Sequence, residues 1–138
     1  MHETILASGH ENVSANHTST LELTTDDWLT EAGDCIVGIE ADRAPSAFDP
    51  SFVEAARSVE TTITAKIAVG DQTETIHGRG DPALTFESDR SAVIRTSGYV
   101  DDRTVLVGAD AAAADIDRSI IEQLQEGASI ELELRIDE

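Results

Sequence analysis

The feature that most constrains this chain of 138 residues is that its sequence reads as one pattern written twice. Glu3, Thr4, Ile5 and Gly9 recur as Glu74, Thr75, Ile76 and Gly80. At the same offset of 71, Val13 meets Leu84, Leu23 meets Ile94, Thr25 meets Thr96 and Trp28 meets Tyr99. A gap of three residues near "TEAG" changes the offset to 68. Asp34, Val37, Ala41, Asp42, Ala44, Asp49, Ser51 and Glu54 then match Asp102, Val105, Ala109, Asp110, Ala112, Asp117, Ser119 and Glu122. A last shift to 67 sets Ile63, Ala65 and Ile67 on Ile130, Leu132 and Leu134. Ordered matches with two small gaps are the signature of an internal repeat. They predict a single domain made of two repeats, about 3–69 and 74–136, sharing one core around a pseudo-twofold axis.

The periodicity inside each repeat is mostly that of strands. "STLELT", "TTITAKIAV" and "IELELRI" alternate apolar and polar residues, while "CIVGIEA" and "TVLVGA" are short apolar runs bounded by turn signals. One helix is expected per repeat, at 49–58 and 117–126. Asp49 and Asp117 stand as N-caps, with Pro50 opening the first helix. "AVGDQTE" reads as a tight Gly-Asp turn joining the repeats. The expected fold is therefore mainly β with two helices, an internally duplicated β-sandwich or barrel in which each half runs β-β-β-β-α-β.

Charge narrows the setting. There are 28 acids against 9 bases, a net charge of −19, and Lys66 is the one lysine. The acids are dispersed along the chain, the pattern of a surface adapted to concentrated salt, which screens charge to about 3 Å at 1 M. In such a setting net charge does not exclude nucleic acid as a partner. One cysteine excludes an internal disulfide and a multi-cysteine zinc site. No apolar run approaches the roughly 20 residues that span a bilayer. The start, "MHETILASGHENV", lacks the regions of a signal peptide. We therefore expect a cytoplasmic protein with no membrane partner.

The motifs "GHENV", "STLELTTDDWLT", "GDCIVG", "GRGDPALTF", "VIRTSGYV" and "DRTVLVGADAAA" cover nearly the whole chain in order. Together they resemble the archaeal domain-of-unknown-function family 371. The resemblance implies an archaeal origin, here a haloarchaeal member, and a mainly-β fold of two sheets. It implies no particular activity.

Two sets of side chains offer chemistry. His10, His17, Asp34 and Cys35 fall in the first repeat and are the types used for nucleophilic or metal sites. Their counterparts include Asp81, Ser88 and Arg103. Cys35 stands in an apolar strand, where a free cysteine is ordinarily buried packing. No short spacing matches a zinc signature, and "GRGDP" lacks the patterns of a nucleotide loop, so no metal or cofactor is expected. The second set is basic: Arg79, Arg90, Arg95 and Arg103 fall within 79–103, close to half of the chain's bases. Arg79, Arg95 and Arg103 are the candidate anion-binding residues, because a guanidinium grips phosphate or carboxylate at two points; the competing use for them is pairing with the local acids Asp81, Asp89, Asp101 and Asp102. The leading expectation is a non-catalytic binding domain for an anionic ligand, RNA or protein partner. The alternative is a small enzyme using His10, His17, Asp34 and Cys35.

Dispersed carboxylates repel one another where salt does not screen them. The thermal midpoint is expected to rise from about 0.1 M to about 3 M KCl. A flat or falling midpoint in a circular-dichroism melt would remove the salt-adapted reading.

Overall fold

Strand alternation is realised as burial alternation. In the computed structural model, which describes residues 1–137, Ile63, Ala65, Ile67 and Val69 all point inward from β4 (Thr62–Val69), and Ile130, Leu132, Leu134 and Ile136 from β8 (Ser129–Ile136). The remaining strands are β1 (His2–Ser8), β2 (Thr20–Thr24), β3 (Ile36–Gly38), β5 (Gln72–Arg79), β6 (Ser91–Arg95) and β7 (Thr104–Leu106). The helices are α1 (Pro50–Ala56) and α2 (Arg118–Gln125), each preceded by a 3₁₀ turn, Pro45–Ala47 and Ala113–Asp115. No helix among the described residues is long and apolar enough to cross a membrane.

The strands form two four-stranded sheets, ordered β1-β8-β4-β5 and β3-β2-β6-β7. The first is antiparallel throughout. In the second the central pair β2–β6 is antiparallel, while the outer pairs β2–β3 and β6–β7 are parallel. One apolar cluster draws on both sheets and both helices, including Ile5, Leu21, Phe52, Ile76, Ile94, Leu106, Ile120 and Leu132.

Two details differ from the sequence reading. Each half holds four strands, not five: between β1 and β2, and again between β5 and β6, the chain is irregular. Ala15 and Phe86 lie in those segments with positive φ, 50° and 53°, which no regular strand accommodates. The barrel alternative is also excluded. Where the sheets meet, only single bridges join them, Ser8 to Ile39 and Arg79 to Val107, so neither edge closes.

Local signals were realised as expected. Asp49 accepts the Ser51 N–H at 2.8 Å, and Asp117 accepts that of Ser119 at 2.8 Å, satisfying donors that a helix start leaves free. Both helices are shorter than the sequence reading, ending at Ala56 and Gln125. Gly70, at φ 61°, opens the two-residue connection between β4 and β5, as a hairpin turn matched to strand twist requires.

Two glycines seat the helices. The Gly9 N–H bonds the Ala128 carbonyl at 2.7 Å and that of Gly80 bonds the Thr61 carbonyl at 2.9 Å. A Cβ on Gly9 would overlap the Leu124 carbonyl, and one on Gly80 would overlap that of Ala56. Each glycine thus runs flush against the last turn of a helix, Gly9 against α2 and Gly80 against α1. Backbone cannot step aside, so Gly9→Ala and Gly80→Ala are expected to cost about 2–3 kcal/mol each. Gly98→Ala, whose Cβ meets only the end of Arg79 at 3.8 Å, should change stability by less than about 0.5 kcal/mol. Denaturant midpoints measure all three.

Candidate functional site

The candidate site grows from the central pair of the second sheet. Register sets Thr20 opposite Arg95, Glu22 opposite Val93 and Thr24 opposite Ser91. Leu21, Leu23, Ala92 and Ile94 belong to the core. Alternation therefore directs Thr20, Glu22, Thr24, Ser91, Val93 and Arg95 to the other face. That face is not open to water: Glu22 and Arg95 are each only 9% exposed. β6 and β7 run parallel, so residues 96–103 must carry the chain back along the sheet, and this returning loop brings Asp101 onto the buried charges.

Asp101 is the hub. Its Oδ2 accepts from Arg95 Nη2 at 2.9 Å and from Arg103 Nη2 and Nε at 2.9 and 3.2 Å. Its Oδ1 accepts from the Arg103 N–H at 3.0 Å and the Thr104 hydroxyl at 3.1 Å. Arg95 Nε donates to Thr104 Oγ1 at 2.9 Å, and its guanidinium lies 4.8 Å from the centre of the Tyr99 ring. Arg103 also stands 3.9 Å from Glu22, which accepts from the Cys35 thiol at 3.6 Å. Desolvation pushes the Asp101 carboxyl upward, but the bonds from Arg103 and Thr104 and the charge of Arg95 outweigh it and bring its pKa down to about 2.

The three candidate arginines gather around this one loop. Arg79, at the end of β5, runs along Gly108 and reaches Gly98. It donates to the Gly80 carbonyl at 3.0 Å and to Asp81 at 3.5 Å. The side chains of Arg79 and Arg103 remain 41% and 43% exposed, against 10% for Arg95. Arg90 stands apart, forked onto Asp26 through Nε at 3.0 Å and Nη2 at 2.7 Å. Tyr99 itself is exposed.

The first-half set is arranged differently. The Nδ1 atom of His10 accepts the Asn12 N–H at 3.0 Å, as the Asp81 carboxylate accepts that of Ala83 at 2.9 Å. His17 Nδ1 accepts the N–H groups of Ser19 and Thr20 at 3.3 and 3.1 Å, as the Ser88 hydroxyl accepts those of Arg90 and Ser91 at 3.2 and 3.1 Å. Both imidazoles thus cap turns through the nitrogen a base would use. The Asp34 carbonyl holds the N–H groups of Asn16 and His17 at 3.0 and 3.3 Å. Cys35 is half-buried on the polar face beside Glu22, not in the apolar core its neighbours suggested. Desolvation first, and then the Glu22 charge, push its thiol up to about 11, so it stays protonated at neutral pH. Among the described residues no three His, Cys, Asp or Glu side chains are grouped to hold a metal ion.

Sequence reasoning counted Asp101 among the acids within reach of the arginines but missed Glu22 and Thr104 as parts of the same network. An acid at the centre of "TLELT", on the polar phase of a central strand, was the available signal for Glu22.

Comparison with known proteins agrees with the motif resemblance. The model of a family described as "Domain of unknown function (DUF371)" matches residues 5–137. An uncharacterized protein of the archaeon Methanocaldococcus jannaschii is 40% identical over 126 residues, covering 91% of this chain and 93% of its own length.

The folded pKa of Asp101 lies below the ordinary carboxyl value of 3.8. Its ionised form therefore stabilises the fold above that value, and the contribution is lost as pH falls through about 2. Asp101→Asn should cost about 1.5–3 kcal/mol near pH 6. Its deficit against the unsubstituted protein should shrink between about pH 4 and pH 2 in parallel denaturant titrations.

Proposed function

Since the chain belongs to the DUF371 family, whose description carries no activity, its function has to be read from its site, and we propose a non-catalytic binding domain that takes an anionic group at the loop 96–103. Arg79 and Arg103 are the contacts. Arg95, held by Asp101 and Thr104, is a positioning residue that seats Tyr99 and stiffens the loop. The observation that carries this reading is that three of nine bases in a chain of net charge −19 converge on one loop, two of them keeping about two-fifths of their side chains exposed. Here the partly exposed guanidinium groups of Arg79 and Arg103, paired with Asp81 and Asp101, border a loop that also carries the exposed Tyr99 ring, which suits a phosphate or carboxylate attached to a larger body. An RNA or an acidic protein segment would each present such a group.

The enzyme alternative built on His10, His17, Asp34 and Cys35 has less behind it. A nucleophile needs a thiolate and a free base, whereas this thiol is held protonated and both Nδ1 atoms accept turn N–H groups. The same reading includes an origin by duplication. What supports it is the repeated element order and the recurrence of bonds at the sequence offsets, such as Glu22 N–H to Cys35 O and Val93 N–H to Arg103 O, both 2.8 Å. Salt adaptation, a haloarchaeal source and a cytoplasmic setting belong to it too, supported by the acid excess and the single lysine.

Inorganic phosphate and citrate serve as probes, added at constant ionic strength. Amide NMR shifts are expected at residues 79–80 and 97–103. Arg79→Ala and Arg103→Ala should each weaken the response about tenfold, while His10→Ala and Cys35→Ala leave it unchanged. Shifts that spread elsewhere, or that survive both arginine substitutions, overturn the proposal.

A further inference from the structure

Arg118 shows how this fold accommodates a guanidinium. It opens α2, and its Nη1 donates to the Ser14 carbonyl at 3.0 Å. Its Nη2 donates to the carbonyls of Ala15 at 2.8 Å and Ala113 at 3.4 Å. Ala15 has φ 50°, and Ala113 begins the 3₁₀ turn ahead of the helix. The stem of one arginine thereby bridges a helix start and a loop more than 100 positions away in the chain.

The same frame is built around α1. Phe86 has φ 53° where Ala15 has 50°, and Pro45 begins the 3₁₀ turn as Ala113 does. The turn and loop are tied alike: Ser46 N–H bonds the Ser88 carbonyl at 3.0 Å, and Ala114 N–H bonds that of His17 at 2.9 Å. The residue opening α1, however, is Pro50. Proline has no group that can reach the carbonyls, and none of the described residues donates to the Thr85 or Phe86 carbonyl. Instead a cleft of roughly 700 Å³ lies there, walled by Pro45, Phe48, Pro50, Val53, Thr85 and Phe86, with Glu54 and Arg57 on its rim. Arg57 is turned aside, donating to the Pro82 carbonyl from Nε at 3.3 Å and Nη2 at 3.2 Å.

We propose that this cleft binds an arginine side chain carried on a peptide segment of a partner protein. The carbonyls of Pro45, Thr85 and Phe86 take the guanidinium as Ala113, Ser14 and Ala15 take that of Arg118. The proline and phenylalanine walls pack against the aliphatic stem, and the cleft has room for flanking peptide residues. Glu54 supplies a carboxylate beside the entry, and the net charge of −19 draws a basic segment from a distance. Arg79 and Arg103 are not among the residues lining the cleft, and each reading has its own probe and variants, so one can fail without the other.

The probe is the amidated, acetylated pentapeptide Ala-Ala-Arg-Ala-Ala, beside versions with lysine or citrulline at the centre, followed by amide NMR on the full chain. Shifts are expected at residues 46–54 and 85–86. Citrulline, which keeps the shape and loses the charge, should bind about tenfold more weakly or not at all. Lysine should fall between, because it lacks the planar fork. Pro50→Arg supplies the guanidinium from within the chain and is expected to abolish peptide binding. Glu54→Lys, at an exposed helix position, should weaken it several-fold and gives a second reading should Pro50→Arg fail to fold. Equal binding of the citrulline peptide, absence of shifts at 85–86, or indifference to Glu54→Lys would each overturn the proposal.

Discussion

The pairing of β2 with β6 is the constraint on which the rest of the second sheet depends. Its register places Leu21 against Ile94 and Leu23 against Ala92 on the core side. Because side chains alternate, the same register commits Glu22 and Arg95 to the opposite face. A slip of one residue would drive both charges into the core and turn Leu21 and Ile94 outward. The parallel outer strands then follow from where the chain must return: the 96–103 loop has to double back over the polar face to begin β7 beside β6. Loop, charges and register are one arrangement.

Charge balance on that face is close. Arg95 and Arg103 face Asp101 and Glu22, two cations against two anions, with Arg95 and Glu22 buried and Arg103 reaching the surface. A buried ion cluster of this kind adds little net stability over an apolar one, but removing one member leaves an uncompensated charge. Its value is geometric. It fixes a loop that has no strand or helix of its own and holds Tyr99 outward over Arg95.

Much of the architecture was legible because it rests on local chemistry. The caps at Asp49 and Asp117, the Gly70 turn and the alternation in β4 and β8 each follow from residue type and spacing. The arginines could be recognised as a group because they are rare in this chain. What escaped the sequence reading depends on distant partners. Nothing local says that Glu22 meets Arg103 across 81 positions. The runs before β2 and β6 carry no regular periodicity, and Ala15 and Phe86 take positive φ within them. Cys35 carries apolar neighbours in sequence, yet it lies in the turn before β3 and faces Glu22.

The place of β8 in the first sheet bears on how the chain is made. It comes last in the order of elements, yet it lies between β1 and β4. Until it emerges from the ribosome, the edges of β1 and β4 have no mutual partner, and the apolar side chains Ile5, Ala7, Ile63, Ala65 and Ile67 line an unfinished gap. Such edges invite pairing between neighbouring nascent chains. Sheet completion therefore waits for the insertion of β8 between two strands made earlier, a step dominated by contacts distant in sequence and correspondingly slow.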